Sequence, residues 1–392
     1  MQKMSADQRR ARLGVRHHLA VKAAGVVEAA DGVVALHATD PATVHLAVRA
    51  RTGFAGVTDV ERALYEERTL LRLLGMRRTM FVARPEVAAV IQAGCSADIA
   101  KKQRRLLARH LGEQGYPENV PEPENWLAEV EESVAKALAA RGTATAQQLS
   151  EDEPRLTQQL IMAKGKPYEA IGNVTSRVLF QLAVDGRIVR GRPRGSWISS
   201  QYHWSTLEDW LPGGFDEWTV DAARAELARR WLYAYGPAPV ADLRWWTGWT
   251  AGQAKKALAE LSPVEVDLDG VTGIVLPGDL EPVAPPEPWV ALLPGLDPTP
   301  MGWSAREWFL GPHRERLFDG TGNIGPTVWS DGRIVGGWGQ RPGGEIVFRL
   351  LEDVGAGAKA AIEAETGRLS DWFGTVRVTP RFRTSLEKEL SS

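Results

Sequence analysis

One cysteine, Cys95, stands in a chain of 392 residues. A single thiol excludes an internal disulfide and a thiolate-rich zinc site, and it suits a reducing cytosolic compartment. The seven histidines show no metal-ligand spacing, so no metal is expected. Long apolar runs are also missing, since no segment approaches the about 20 consecutive apolar residues that a membrane span needs. The opening MQKMSADQRRARLG is polar and basic with no apolar stretch behind it, so no secretory signal is read and a soluble, cytoplasmic protein without membrane contact is expected. There is no P-loop string, no dinucleotide fingerprint and no serine in a G-x-S-x-G elbow. No organic cofactor is therefore expected.

A strong excess of one charge is absent as well. The net charge of -2 argues against a uniformly basic nucleic-acid binder, but the charges are segregated along the chain. Between Ile99 and Gly112 stand Lys101, Lys102, Arg104, Arg105 and Arg109 with no acid until Glu113. RIVRGRPR carries Arg187, Arg190, Arg192 and Arg194, whereas acids gather in PENVPEPENWLAEVEE and at 151–153. Such segregation lets one face meet phosphates while the rest stays acidic. Taken singly, each patch reads equally well as a solvated helix face or wing.

What is present is a repeated local order. DAARAELARRWLYAYG has helical apolar spacing (Leu227, Trp231, Leu232) and ends at Gly236 before Pro237; PVADLRWWTGW gives a short second helix broken at Gly248. Thr250 then caps AGQAKKALAELS, with Ala254, Ala257, Leu258 and Leu261 on its buried side and Lys255 and Lys256 outside. VEVDLDGVTGIVLP closes the group as a hairpin around Asp269-Gly270. The same order recurs upstream in NWLAEVEESVAKALAARG, TATAQQLS, NVTSRVLFQLAVDG and the basic hairpin RIVRGRPRGSWISSQYHW. A fainter copy runs from Pro41 to Pro85 through ATVHLAVRARTG and TDVERALYEERTLLRLLG to RRTMFVAR, read as a strand. Three helices and a hairpin are the winged-helix plan, and repetition makes coincidence a weaker explanation.

Beyond the proline-rich EPVAPPEP the texture changes to hairpin turns at Asp331-Gly332 and Gly343-Gly344, a helix in AGAKAAIEAETGRLSDWFG, and a returning strand in VRVTPRF. The expected fold is mainly α with β (α+β). Its parts are a first unit with the N-terminal helices (1–115), a second (116–215), a third (216–280) and a C-terminal β-rich sheet or barrel with a closing helix (281–392). All 15 tryptophans lie after residue 125, where they are read as core and interface anchors.

Four strings, VVALHATDPATVHLAVRAR, ALYEERTLLRLLGMRRTMFVA, LLPGLDPTPMGW and GNIGPTVWSDGRIVGGWGQR, resemble the bacterial winged-helix DNA-binding family that includes the AlkZ and YcaQ crosslink-unhooking alkylpurine DNA glycosylases. The resemblance implies three winged-helix units and a C-terminal β element around a C-shaped cleft for double-stranded DNA. It also implies a loop motif of Gln, an apolar residue, then Gln or Asp, which positions the water that hydrolyses the N-glycosidic bond of an alkylated purine without metal or cofactor. Here the triplet is His37-Ala38-Thr39.

On that reading His37, Thr39 and Asp40 are the candidate catalytic residues. An imidazole with an ordinary pKa of about 6.5 can take or orient the proton of a water near neutrality, and Thr39 offers a hydroxyl. Asp40 supplies a carboxylate to the oxocarbenium ion or to His37, or else caps the helix that starts at Pro41. Arg77, Arg78, Lys101, Lys102, Arg104, Arg105, Arg187, Arg190, Arg192, Arg194, Lys255 and Lys256 are the phosphate-contact candidates. DNA binding without catalysis, by a regulator or an adduct-sequestering factor, is the rival expectation, and repeats that cover one another favour a monomer.

Overall fold

Local capping starts the most sharply defined group of elements. Thr250 accepts a hydrogen bond from Gln253 N, and the Gln253 side chain accepts one from Thr250 N at 2.9 Å, which sets the first turn of helix Ala251–Ala259. Helices Val220–Tyr235 and Val240–Thr247 precede it, the second stopped by Gly248 at φ 76°. Strands Val264–Leu268 and Val271–Val275 follow, joined through Asp269 (φ 54°) and Gly270 (φ 92°), the two left-handed positions of a tight hairpin. The computed structural model describes residues 1–163 and 165–392, with 47% helix and 18% strand.

Upstream, helices Pro123–Arg141, Ala146–Asp152 and Thr175–Val184 lead into the antiparallel pair Ile188–Pro193 and Tyr202–Thr206. Between the second and third of these helices lies a strand pair that sequence patterning does not announce, Gln159–Met162 with Ala170–Asn173, joined by Gly115–Tyr116. Its last strand is mostly exposed and so lacks an apolar alternation.

The stretch TDVERALYEERTLLRLLG divides in two. Helix Val57–Glu61 continues as a wider turn, Arg62–Glu66, then Arg68 at φ 54° breaks it and Leu71–Gly75 is a strand. That strand is buried on both faces, with Leu71 and Leu73 in one core and Leu74 in another, which erases the period that distinguishes strand from helix. It forms a three-stranded sheet with Thr79–Ala83 in the middle and Leu36–His37 at the far edge.

The N-terminus packs far from its sequence neighbours. Strand Gln2–Lys3 pairs in parallel with Val264–Leu268, and Arg12 and Arg16 of helix Ala6–Arg16 both grip Asp279, at 2.7 and 2.9 Å. At the other end, strands Val290–Leu293, Thr327–Ser330, Arg333–Gln340 and Ile346–Leu350 make an open antiparallel meander covered by helix Gly355–Phe373. VRVTPRF does not return as a strand. Its Val378 N–H donates instead to the Gln340 side chain at 2.8 Å, and Pro380 has no N–H to offer a ladder.

One buried network ties three regions together. Arg51 on helix Pro41–Thr52 makes a two-armed pair with Asp297 (2.7 and 2.9 Å), both side chains fully enclosed, and also donates to Thr299 Oγ1 at 2.8 Å. Because His17 Nε2 meets the Ala234 carbonyl at 3.0 Å it carries the proton, so Nδ1 accepts from the Thr299 hydroxyl at 2.9 Å. Burial holds His17 well below the usual imidazole range, in keeping with this neutral tautomer.

Candidate functional site

The Leu36–Asp40 segment leaves its sheet by a short step. His37 stands opposite Phe81, and Ala38 N extends the pairing to the Met80 carbonyl at 2.8 Å. Directly paired residues share a face, and here the two rings meet edge to face with centroids 5.7 Å apart. His37 is only 6% exposed and its Nδ1 is enclosed without a partner. Burial, with a smaller contribution from Arg77, pushes its pKa down to about 3. The ordinary value expected from sequence therefore does not hold: this imidazole is neutral throughout the physiological range, because protonation would place a desolvated charge, with no counter-charge, within reach of Arg77.

Asp40 is a helix cap. Its Oδ1 accepts from Ala42 N at 3.1 Å and its Oδ2 from Arg381 N at 2.9 Å, so both oxygens are held by backbone donors. No hydrogen bond joins Asp40 to His37 among the described residues, so the pairing offered by the sequence does not form. Thr39, partly exposed, accepts a 3.3 Å hydrogen bond from the Arg381 guanidinium at its carbonyl. The C-terminal segment thus clasps the loop from outside.

The turn between Leu71–Gly75 and Thr79–Ala83 puts two consecutive arginines at positive φ, Arg77 at 55° and Arg78 at 61°, and sends them different ways. Arg77 lies over the Trp245 indole at 3.9 Å, with Arg306 over the same ring at 4.9 Å. Its Nε is enclosed without a partner, and burial pushes its pKa down to about 10. Arg78 is exposed and stands 5.6 Å from the Phe180 ring.

Arg78 opens a basic hollow shared with His110, Arg177 and Phe180. Ser176 belongs both to this hollow and to its neighbour, which is lined by Arg190, Arg194, Tyr202 and Trp204. Sequence reading missed Arg177, although the signal was there. The buried stripe Val174, Val178, Leu179 and Leu182 leaves Ser176 and Arg177 on the open side of helix Thr175–Val184.

The remaining basic candidates divide by their partners. Arg104 bridges Glu131 and Asp185, both at 2.6 Å; Arg187 meets Glu132 at 2.7 Å; Arg192 meets Glu61 and Glu66 at 3.0 and 3.2 Å; Lys256 meets Asp221 at 2.7 Å. Their charge is answered within the protein. Lys101, Lys102, Arg105, Arg194 and Lys255 are exposed and have no carboxylate partner among the described residues.

A family model described as DNA glycosylase AlkZ-like matches residues 30–372. The interstrand DNA cross-link repair glycosylase of Streptomyces sahachiroi is 29% identical over 214 residues, 52% of this chain and 56% of that protein, so the match spans about half the relative's length. The solved structure of the Streptomyces sahachiroi DNA glycosylase AlkZ overlays with a TM-score of 0.73 at 23% identity, covering 94% of this chain and 98% of that one, and shows a shared fold. No helix among the described residues is long and apolar enough to cross a membrane. With the family model spanning most of its length, this chain belongs to the AlkZ-like DNA glycosylase family.

Proposed function

We propose that this protein is a monofunctional DNA glycosylase that hydrolyses the N-glycosidic bond of bulky or cationic alkylated purines in double-stranded DNA. The observation that carries the reading is the family match over residues 30–372, which contains the His37–Asp40 loop. On this reading the three groups of helices and strands are winged-helix units lying within 1–115, 116–215 and 216–280, and 281–392 completes a C-shaped cleft. The protein acts as a cytoplasmic monomer. Cross-linked DNA, the lesion named for the Streptomyces relative, is included in the proposed substrate range.

The chemistry asks little of an acid. An N7-alkylated guanine already carries positive charge, so when the glycosidic bond breaks its electron pair passes to the base, which leaves neutral. The oxocarbenium sugar then bonds to a water at C1′, and that water's proton passes to solvent. His37, neutral with a pKa pushed down to about 3, supports this by accepting a hydrogen bond from the water without retaining the proton. Thr39, two residues on, adds a hydroxyl, and Asp40 fixes the loop through its cap.

The enclosure of His37 favours a second reading, duplex binding without base release, by a regulator or an adduct-sequestering factor. Base release from a duplex with one N7-alkylguanine, wild type against His37→Ala, separates the two. Release that falls in the variant supports the glycosylase. Duplex binding with no release by the wild type supports the second reading, and absence of duplex binding overturns both.

A further inference from the structure

An alternating stack of cations and rings joins the Ile188–Pro193 and Tyr202–Thr206 hairpin to the Leu71–Gly75 strand. Arg190 lies 5.2 Å from the Trp204 ring and 5.4 Å from that of Tyr202; Arg72 lies 5.1 Å from Tyr202 and 5.8 Å from Tyr65; Arg192 lies 4.9 Å from Tyr65. The Arg192 end is neutralised by Glu61 and Glu66. The other end is not.

Arg72 is 3% exposed, donates to the Tyr65 hydroxyl, and keeps Nε and Nη2 enclosed without partners. Arg190 likewise has an unpartnered, enclosed Nε, and neither guanidinium meets a carboxylate among the described residues. Ring faces stabilise cations only in part. Two positive charges side by side, Arg72 buried and Arg190 partly exposed to the hollow, therefore lack an anion. Arg381 brings a third charge close enough to act on Arg190, while its backbone N–H holds Asp40 and its side chain holds the Thr39 carbonyl.

We infer that Arg190, backed by Arg72 and Arg381, seats one backbone phosphate of duplex DNA beside the Thr39–Asp40 loop. The inference rests on the DNA-binding reading above and adds to it a fixed register between one phosphate and the loop. A phosphate diester fits better than an isolated small anion because the hollow holding Arg190 also holds Arg194 and, through Ser176, runs on into the one holding Arg78 and Arg177. The basic lining is a track, as a polyanion requires.

The test is equilibrium binding of a short duplex across a salt series. Arg190→Gln is expected to weaken binding about ten- to hundredfold, as loss of a charged hydrogen bond does, and to lower the log-log salt slope by about one. Arg141→Gln, at a cation already paired with Asp152, is expected to leave the slope unchanged. A second measurement needs only wild-type protein at the outset: duplexes carrying a single neutral methylphosphonate, moved position by position, should show one position of comparable loss. At that position Arg190→Gln should add nothing further. A wild-type slope in Arg190→Gln, losses that add at every position, or a methylphosphonate scan with no sensitive position overturns the phosphate seat while the DNA reading stands. Failure of the wild type to bind duplex overturns both.

Discussion

His37 and Phe81 face each other across antiparallel strands, ring edge to ring face at 5.7 Å, and this contact decides what the loop histidine can do. An imidazole closed in this way is held neutral, so on the proposed reading it accepts a hydrogen bond rather than storing a proton. The first expected consequence is kinetic. Base release should show no inflection from His37 between pH 5 and 8, since burial pushes its pKa down to about 3. A pH–rate profile with a step near 6.5 that vanishes in His37→Ala would contradict this assignment.

His37→Gln replaces the ring with an amide that can also hold a water, and on the proposed reading retained or increased base release is expected. His37→Ala removes the acceptor and should slow single-turnover release about 100-fold, typical for loss of one preorganised polar group, with duplex affinity little changed. Single-turnover rates and binding isotherms on one alkylated duplex measure both.

For Asp40 the prediction concerns stability. Asp40→Ala should cost about 1 kcal/mol, the usual value of a helix cap, and Asp40→Asn should cost much less because asparagine caps nearly as well. Denaturant melts report this. A stable Asp40→Asn protein that has lost base release would instead assign the carboxylate to the chemistry.

Acid sensitivity follows from three buried histidines. His37 and His45 have pKa values pushed down to about 3 by burial, and His17 lies well below its usual range. Above pH ~6.5 these rings are neutral whether folded or unfolded and cost nothing. As pH falls from there toward 3, the unfolded chain takes up protons that the folded chain refuses, so stability drops. Chemical denaturation at pH 7.5, 6 and 5 should show a falling midpoint, with the fall reduced in His45→Phe.

The Arg51–Asp297 pair should be among the most sensitive points in the fold. Removing one member by Asp297→Asn leaves a guanidinium enclosed without its counter-charge, expected to cost roughly 3–5 kcal/mol. A melt within 1 kcal/mol of wild type would show that the enclosed network relaxes more readily than its geometry implies.

Periodicity and punctuation were enough to place helix Ala251–Ala259 with its Thr250 cap, the Asp269-Gly270 hairpin and the stripe of helix Thr175–Val184, because each depends on residues a few positions apart. They could not resolve Leu71–Gly75, where burial on both faces removes the alternation, or Gln159–Met162 with Ala170–Asn173, where exposure removes it. In the candidate site, the capping role of Asp40 was legible in the sequence. The sequence did not reveal that Arg381, 341 residues away, would hold the second oxygen.

The chain alone therefore determined the capped helices, the tight hairpin turn at Asp269-Gly270 and which side chains carry charge. Tertiary packing decided which of those charges are free. Arg104 and Arg192 meet carboxylates brought from other segments, Arg77 and Arg190 are laid against rings, and His37 is shut in behind Phe81. Capping and turn formation are local, whereas desolvation and ion pairing depend on partners that only the folded chain assembles.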